Sequence, residues 1–359
     1  MTLTLSCLEN KQAADGLAVT RSAAVLILAH DEAGVIRTTV QSVTSAQLPG
    51  DILYVIADNC SDNTASLAAE AGACVMERQG GSRMGKGAAL KWFVNQHNDL
   101  LERHDRLVIL DADNLVSPEF LQEIKASYQG DGVMQCLVQP VGYHGSPLST
   151  LIALSEIHEQ KTVDAIRVSF GWPVRLRGTG MVMSPRLLSI VSDMIDTEVE
   201  DIAMSLLFTA RGIPVHRNMQ VCVQDPKPRE SVLASRQRAR WFRGQWNAFW
   251  LYRREVGTLI KRGPAGWSLL SNLFLKPRWL ADMILSILAL AALLFSWWLA
   301  ALLMAKVLFD LACLIWTIFA SKNRNDYLKA ILHIPGFILM WLRGFLLAFQ
   351  KSSWRRARE

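Results

Sequence analysis

Arg106-Leu107-Val108-Ile109-Leu110-Asp111-Ala112-Asp113 sets an unbroken aliphatic run directly against two acids. A short continuous apolar run of this kind suits a strand buried on both faces of a parallel sheet. Acids at its carboxyl end then stand where the loops of such a sheet converge on a ligand. Two carboxylates flanking one small residue can share a divalent cation and leave coordination positions for phosphate oxygens, an arrangement that suits Mg²⁺. The plain alternative is that the acids only end the strand and that Ser117-Pro118-Glu119 starts the next helix through N-cap and N1 preferences. That accounts for a helix and leaves the acids unexplained.

The same pattern recurs upstream. The run from Ala23 to Ala29 ends in His30-Asp31-Glu32, and the spacing predicts a helix from Gly34 to Ser45. A second run, from Asp51 to Ala57, ends in Asp58 and a polar loop, before an Ala-rich helix over Ala65–Ala71. Cys74-Val75-Met76 reads as a further short strand, and residues 130–224 mix short strands and helices. Strand–helix alternation with polar residues at the strand ends predicts an α/β, doubly wound, Rossmann-like sheet.

Composition changes along the chain. Apolar residues make up 51% of its 359 residues, yet the first 260 read as ordinary soluble protein. From Leu280 to Ala320 only Asp282, Lys306 and Asp310 are charged. Those 41 residues are about twice the length that crosses a bilayer core. Ser296-Trp297-Trp298 near the middle predicts a tight hairpin of two transmembrane helices. Lys276 and Arg278 precede the pair and Lys322 and Arg324 follow it, so the positive-inside rule places both ends, and the large domain, in the cytosol at an inner or plasma membrane. Lys306 and Asp310, four apart, are expected to neutralise each other or face a partner helix.

Tyr327–Phe349 carries a polar stripe of Lys329, His333, Gly336, Arg343 and, just beyond it, Gln350, interrupted by Pro335. It reads as an amphipathic helix in the cytosolic interface ahead of a basic tail, with three spans as the alternative. Trp267–Leu275 is a candidate short interfacial helix. The net charge of +6 comes with no long basic tract, which argues against nucleic acid. The six cysteines form no CxxC pair, so neither a disulfide framework nor a zinc site is expected. Residues 1–20 lack the pattern of a cleaved signal peptide and read as a flexible lead-in.

Several further strings carry chemistry, each beside a plainer reading. Asp58 can accept the imide N–H of a uracil ring or cap the next helix through an Asx-type turn. Asp31 or Glu32 can contact base or ribose, or act as caps. Gly80–Gly87 lacks full phosphate-loop spacing but presents Lys86, toward a diphosphate or merely on a surface turn. Glu200-Asp201 opens a helix over Ile202–Ala210, where acids are favoured by the macrodipole in any case. As a functional pair, Asp201 would take a proton from an acceptor hydroxyl and Glu200 would set its pKa or position. In Gln237-Arg238-Ala239-Arg240-Trp241, residues 237, 240 and 241 share a helical face. An arginine there suits a departing diphosphate and a tryptophan suits an acceptor sugar, with electrostatic membrane anchoring as the simpler reading.

Taken in order, Ala29-His30-Asp31-Glu32, Asp58, Gly85-Lys86-Gly87, Asp111-Ala112-Asp113, Gly178-Thr179-Gly180, Glu200-Asp201 and Gln237-Arg238-Ala239-Arg240-Trp241 resemble the motifs of family 2 inverting glycosyltransferases, in the cellulose- and hyaluronan-synthase-like form with a short membrane part. The resemblance implies a GT-A fold over residues 21–262, then a juxtamembrane segment 263–278, the hairpin 279–321 and the interfacial helix and tail 322–359. It implies a nucleotide-diphospho-sugar donor, in the first place a UDP-sugar, and Mg²⁺ or Mn²⁺ held by Asp111 and Asp113. It places Ala29, His30, Glu32, Asp58, Lys86, Asp111 and Arg240 at the donor. Gly178, Thr179, Gly180, Gln237 and Trp241 fall at the acceptor, and Asp201 with Glu200 at the catalytic centre. The family's strand-end pair of acids is here Ala57-Asp58, so one acidic position is missing.

Three functions fit these residues. The first is a single transfer to a lipid-linked or saccharide acceptor at the cytosolic face, as in exopolysaccharide or glycolipid assembly. The second is a processive polysaccharide synthase, which would need a homo-oligomer or a partner channel because so short a membrane part offers little wall. The third is a catalytically silent scaffold in a membrane assembly.

Overall fold

The computed structural model describes residues 22–81, 85–130, 132–228 and 230–350. The expected lead-in and the basic tail lie outside them. The chain divides into two compact units. One runs up to Gln139 and adds Pro173–Pro226 and Trp250–Leu259; the other comprises Pro140–Trp172, Lys227–Phe249 and the residues from Ile260 onward.

The first unit is built on an eight-stranded mixed sheet. Its strands are β1 (Ala23–Ala29), β2 (Ile52–Asp58), β3 (Cys74–Arg78), β4 (Arg106–Asp111), β5 (Leu115–Val116), β6 (Val133–Val141), β7 (Met181–Met183) and β8 (Val215–Pro226), in the order β3-β2-β1-β4-β7-β6-β8-β5. β1 pairs in parallel with both β2 and β4, and β2 with β3, whereas β7 joins β4 and β6 antiparallel. Every residue of β1 and β2 is buried, as expected of strands covered on both faces. Strand order reverses between β1 and β4, and the crevice at such a switch point is where α/β sheets bind ligands. In register, Ala29 lies beside Ala57 and Leu28 beside Asp111, so His30, Asp58 and Asp111 all emerge at one edge.

Helices α1 (Ile36–Ala46) and α2 (Thr64–Glu70) fall within two residues of their expected bounds. α1 turns Ile36, Val40 and Val43 into the core, at the 3–4 residue spacing of an apolar face. Each such aliphatic side chain contributes roughly 1.5–3 kcal/mol by leaving water. The opposite edge of the sheet is closed by Asp51, whose Oδ1 accepts from Ala23 N at 2.8 Å and pairs with Lys125 at 2.7 Å. Helix α3 (Lys86–Leu101) follows the glycine loop, and α4 (Phe120–Ser127) follows Asp113. Ser117 does not cap α4: Phe120 N bonds to Ser117 O at 3.1 Å, making a turn, and the helix starts only after Glu119. Helices α7 (Pro185–Ser192) and α8 (Glu200–Ala210) complete this unit's core.

In the second unit, α5 (Pro147–His158) runs through a π-helical turn (Glu159–Val163) into α6 (Asp164–Ser169). Then come α9 (Ser231–Leu251), α10 (Arg253–Lys261, mostly of the first unit), α11 (Pro264–Phe274), α12 (Arg278–Ala292) and α13 (Trp297–Phe319). Helices α14 (Arg324–Ile331) and α15 (Ile334–Ala348) end the described chain.

The hairpin turn falls at Ser296 as the sequence implies. Among the described residues only α13 is by itself long and apolar enough to cross a membrane, and just 6% of its apolar window is buried. α12 has 15 residues, or about 22 Å of helix against a core of roughly 30 Å. The expectation of two full spans is therefore not supported. Tyr327–Phe349 also departs from expectation: α14 and α15 meet at 73°, so no single polar stripe runs along them. Pro335 sits in the first turn of α15, where its missing N–H costs nothing. Lys306 pairs with Asp310 at 2.6 Å, and equally with Asp282 on α12 at 2.6 Å.

Candidate active site

At the ends of β1 and β2 the chain builds a tight polar cluster. The His30 Nδ1–H donates to the Asp58 carbonyl at 2.6 Å; a carbonyl only accepts, so the proton lies on Nδ1. Asp31 adopts φ 52°, a left-handed conformation that Asp tolerates, and its Oδ1 accepts from Ser61 N at 2.5 Å. Glu32 N donates to Thr64 Oγ1 at 2.8 Å, so the backbone of this motif is pinned to the start of α2. Asp58 is 7% exposed, and its Oδ1 accepts from Arg78 at 2.6 Å and from Asn59 at 2.8 Å. Cys60 Sγ lies 3.7 Å from the Ala29 carbonyl. Among the described residues, His30, Asp31 and Cys60 form the one trio of His, Cys, Asp or Glu whose ligand atoms lie within 4.8 Å of one another.

A second cluster surrounds the end of β4. Lys86, at the first position of α3, forms an ion pair with Asp111. Asp111 N reaches Thr179 Oγ1 and Asn114 Oδ1, both at 3.2 Å, and Thr179 Oγ1 donates to that same Asn114 oxygen. Asn114 Nδ2 in turn reaches Asp113 Oδ1 at 3.4 Å and Asp225 Oδ1 at 3.3 Å. The Gly178-Thr179-Gly180 turn is thereby tied to both acids of the Asp111–Asp113 pair.

Glu200 and Asp201 stand against this turn at the start of α8. Gly178 has φ 78°, and a Cβ there would lie 3.3 Å from Glu200 Oε1 and 3.9 Å from Asp201 Cβ. Gly87 is as constrained, since a Cβ on it would come within 2.6 Å of Ile195 Cγ2 and 3.5 Å of Glu200 Cβ. Burial pushes the Glu200 carboxyl up to about 7, with the charges of Asp201 and Asp111 adding to the shift and Lys86 opposing it. Asp201 is only half-buried. Lys86, Asp111, Thr179, Glu200 and Asp201 thus form one electrostatically connected group.

Gln237, Arg240 and Trp241 lie on α9 in the second unit. There the residue between them is the organiser. Arg238, 3% exposed, donates to Gln237 Oε1 at 2.5 Å and lays its guanidinium 4.5 Å from the Trp241 ring centre and 5.2 Å from that of Trp341. Burial holds its pKa down, to about 10. Trp241 packs against an apolar cluster that includes Leu151, Ile152, Ala234, Phe337 and Met340.

The model of glycosyltransferase-like family 2 matches residues 21–244, well over half the chain. The chain belongs to that family. It is a glycosyltransferase, and its first unit is the GT-A form of the α/β fold. No curated protein matches its sequence. Among solved structures it is similar to the mannosyltransferase PcManGT from Pyrobaculum calidifontis in complex with GDP-Man and Mn²⁺, with 16% identity and a TM-score of 0.48 over 92% of this chain and 97% of that one. It is also similar to glucosyl-3-phosphoglycerate synthase of Mycobacterium tuberculosis, with 18% identity and a TM-score of 0.42 over 71% of this chain and 84% of that one.

In this glycosyltransferase several residues that no local pattern marks hold the site in shape. Gln135 on β6 is 1% exposed; its Oε1 accepts from Arg177 N at 2.9 Å and its Nε2 donates to the Thr179 carbonyl at 2.9 Å, gripping the turn from both sides. The Tyr252 hydroxyl donates to Met194 O at 2.7 Å and accepts from Asp196 N at 3.1 Å, fixing the loop that leads into Glu200. Asp225 brings a further carboxylate to the Asp113–Asn114 side, and Arg78 neutralises Asp58. The one sequence signal among these is Asp225-Pro226 at a strand end.

Proposed function

We propose that this glycosyltransferase moves a sugar, with inversion, from a nucleotide-diphospho-sugar to a hydroxyl of a lipid-linked or saccharide acceptor at a membrane surface. The observation that carries the reading is the group formed by Lys86, Asp111, Glu200 and Asp201. It sets a cation and a metal-capable carboxylate beside a pair of acids whose environments differ. UDP is the first nucleotide to test, because Asp58 at the β2 end is a buried acceptor of the kind a uracil imide requires.

Asp201, half-exposed, takes the proton of the attacking hydroxyl. Glu200, buried behind it and disposed to keep a proton near neutral pH, avoids setting a second full charge beside the base. Lys86 faces the diphosphate and offsets the negative charge that grows on it as the sugar leaves. Inversion takes a single displacement, so no side chain need bond to the sugar. The carboxylates of Asp111 and Asp113 fit Mg²⁺ or Mn²⁺: they are oxygen donors two residues apart in the chain and few in number, as an ion that keeps phosphate and water ligands requires. When bound, such an ion would supply further positive charge at the diphosphate. Within the second unit Gln237 serves as Arg238's partner.

Membrane attachment is part of the proposal. Leu294, Phe295 and Trp297 at the hairpin tip are 80%, 89% and 75% exposed, and a contiguous apolar surface of this kind is suited to lipid. A single transfer is favoured over processive synthesis, since among the described residues one helix by itself, or two spans if the bent pair α14–α15 makes one, is too few to enclose a polymer channel. The test is nucleotide release from UDP- and GDP-sugars by full-length protein, with and without native lipid extract and Mg²⁺ or Mn²⁺. Release that depends on a divalent ion and on lipid supports the reading. A ladder of long polymer from the purified protein alone would exclude single addition.

A further inference from the structure

The ends of β1 and β2 assemble a donor set of a different chemistry from the paired carboxylates of Asp111 and Asp113. His30, Asp31 and Cys60 offer an imidazole nitrogen, a carboxylate oxygen and a thiol sulfur, all within 4.8 Å of one another. A site with one cysteine leaves no CxxC pair to find, so the sequence pattern does not reveal it.

The tautomer of His30 decides which ring nitrogen faces the trio. Nδ1–H donates to the Asp58 carbonyl at 2.6 Å, so in the neutral ring Nε2 carries the lone pair. Nε2 stands 3.4 Å from Asp31 Oδ2. A lone pair and a carboxylate oxygen repel at that distance unless positive charge lies between them. Two ligand atoms each about 2.0–2.1 Å from a tetrahedral Zn²⁺ are about 3.3–3.4 Å apart, so the separation is the one an ion between them would impose. A coordinated thiolate stands about 3.6 Å from such neighbours, which leaves Cys60 at most about 1.2 Å to close.

The outer contacts are those that hold metal ligands in place. Ligating imidazoles donate their other N–H to a carbonyl or carboxylate, and ligating carboxylates are themselves hydrogen-bonded. Here Nδ1–H has the Asp58 carbonyl, and Asp31 Oδ1 accepts from Ser61 N at 2.5 Å while the Ser61 hydroxyl reaches Oδ2 at 3.2 Å. Asp31 N donates to Cys60 Sγ at 3.4 Å, a contact that favours the thiolate.

We infer that His30 Nε2, Asp31 Oδ2 and Cys60 Sγ bind one Zn²⁺-class ion, with the fourth position open to water. Imidazole and thiolate together select a borderline ion over Mg²⁺. The ion ties the loop after β1 to the loop after β2 across 29 positions of chain. Burial pushes the Cys60 thiol up, so it carries its proton until the ion arrives; as the Zn–S bond forms, that proton passes to solvent. The site goes beyond the proposed transfer reaction and does not depend on the assignment of Asp111, Asp113 or Asp201.

The test uses full-length protein in neutral detergent, stripped with chelator, dialysed and kept reduced. Titration with Co²⁺, a spectroscopic substitute for Zn²⁺, should give one equivalent with tetrahedral d–d bands and a thiolate-to-cobalt charge-transfer band, both bleached by Zn²⁺. Zn²⁺ uptake should release about one proton per ion and raise the thermal midpoint. Cys60→Ala and the same-sized Cys60→Ser should each lose the charge-transfer band. His30→Gln should weaken Co²⁺ binding at least about tenfold, since loss of an outer-shell partner alone costs that much. The Asp111→Asn, Asp113→Asn double variant should keep the whole signal, so failure of the catalytic metal site and failure of this one are told apart. No thiolate band in wild-type protein, which would leave His30 and Asp31 as a plain ion pair, an octahedral spectrum alone, or a band that survives Cys60→Ala each overturns the inference.

Discussion

Arg78 donates to Asp58 at 2.6 Å across the ends of β3 and β2, with both side chains about one-tenth exposed. The pair converts a buried carboxylate, otherwise costly, into a fixed acceptor at the sheet edge. Arg78→Met removes the counter-ion and leaves the carboxylate with the neutral Asn59 amide in a poorly solvated place, and breaking one side of such a pair costs roughly 3–5 kcal/mol. A marked drop in thermal midpoint is expected, partly restored in the Asp58→Asn, Arg78→Met double variant. An unchanged midpoint in the single variant would show that the pair is solvated in solution.

Lys86 is expected to read the diphosphate. Lys86→Met should weaken UDP binding by roughly tenfold or more and leave UMP binding nearly unaffected, because only the former reaches the lysine. Equal losses for both nucleotides would place the lysine in a structural role.

For the acidic pair, Asp201→Asn should lower kcat by about 100-fold or more at unchanged secondary structure and membrane partition. Undiminished turnover removes Asp201 from the base role.

Glu200 should leave its mark on stability against pH. Its native pKa of about 7 lies above the unfolded value of 4.5, so between these limits the native state binds more protons than the unfolded chain. Stability from this group is fully present below the unfolded pKa and is lost as pH rises through the native one. Glu200→Gln, neutral throughout, should match wild type in thermal midpoint near pH 4.5 and exceed it by several degrees above about pH 8. Parallel curves across that range would contradict the burial of the carboxyl.

Gly344 offers a test of packing in the second unit. A Cβ there would lie 2.7 Å from Arg238 Cβ and 3.0 Å from the Ser235 carbonyl, neither of which is the free end of a flexible chain. Gly344→Ala should cost roughly 1–3 kcal/mol. Gly257→Ala on α10, with nothing within 4 Å, is the matched control and should be neutral or mildly stabilising. Similar thermal midpoints for the two variants would argue against close approach of α15 to α9.

Much of the first unit is legible from the chain because its signals are local. Aliphatic runs become β1, β2 and β4, and the acids that follow them stand at one sheet edge because parallel strands all end there. The clamps are not legible: Gln135 and Tyr252 act on residues more than 40 positions away, and nothing beside them in sequence marks the contact. Arg238 is hidden by its own motif. Spacing singles out Gln237, Arg240 and Trp241, yet the intervening arginine is the one buried between two indoles. In the membrane part, composition reveals the hairpin but not the short first arm or the sharp bend at Leu332-His333, since hydropathy does not report where a helix breaks.

Sequence alone determined which segments become strands, the acids that end them and the family to which the chain belongs, because each is written within a few consecutive residues. Tertiary structure alone decided that Asp58 is neutralised by Arg78 and that Glu200 is buried beside Lys86 and Asp111. Those properties come from charge and desolvation summed over residues distant in the chain, and they exist only once folding has brought the groups together.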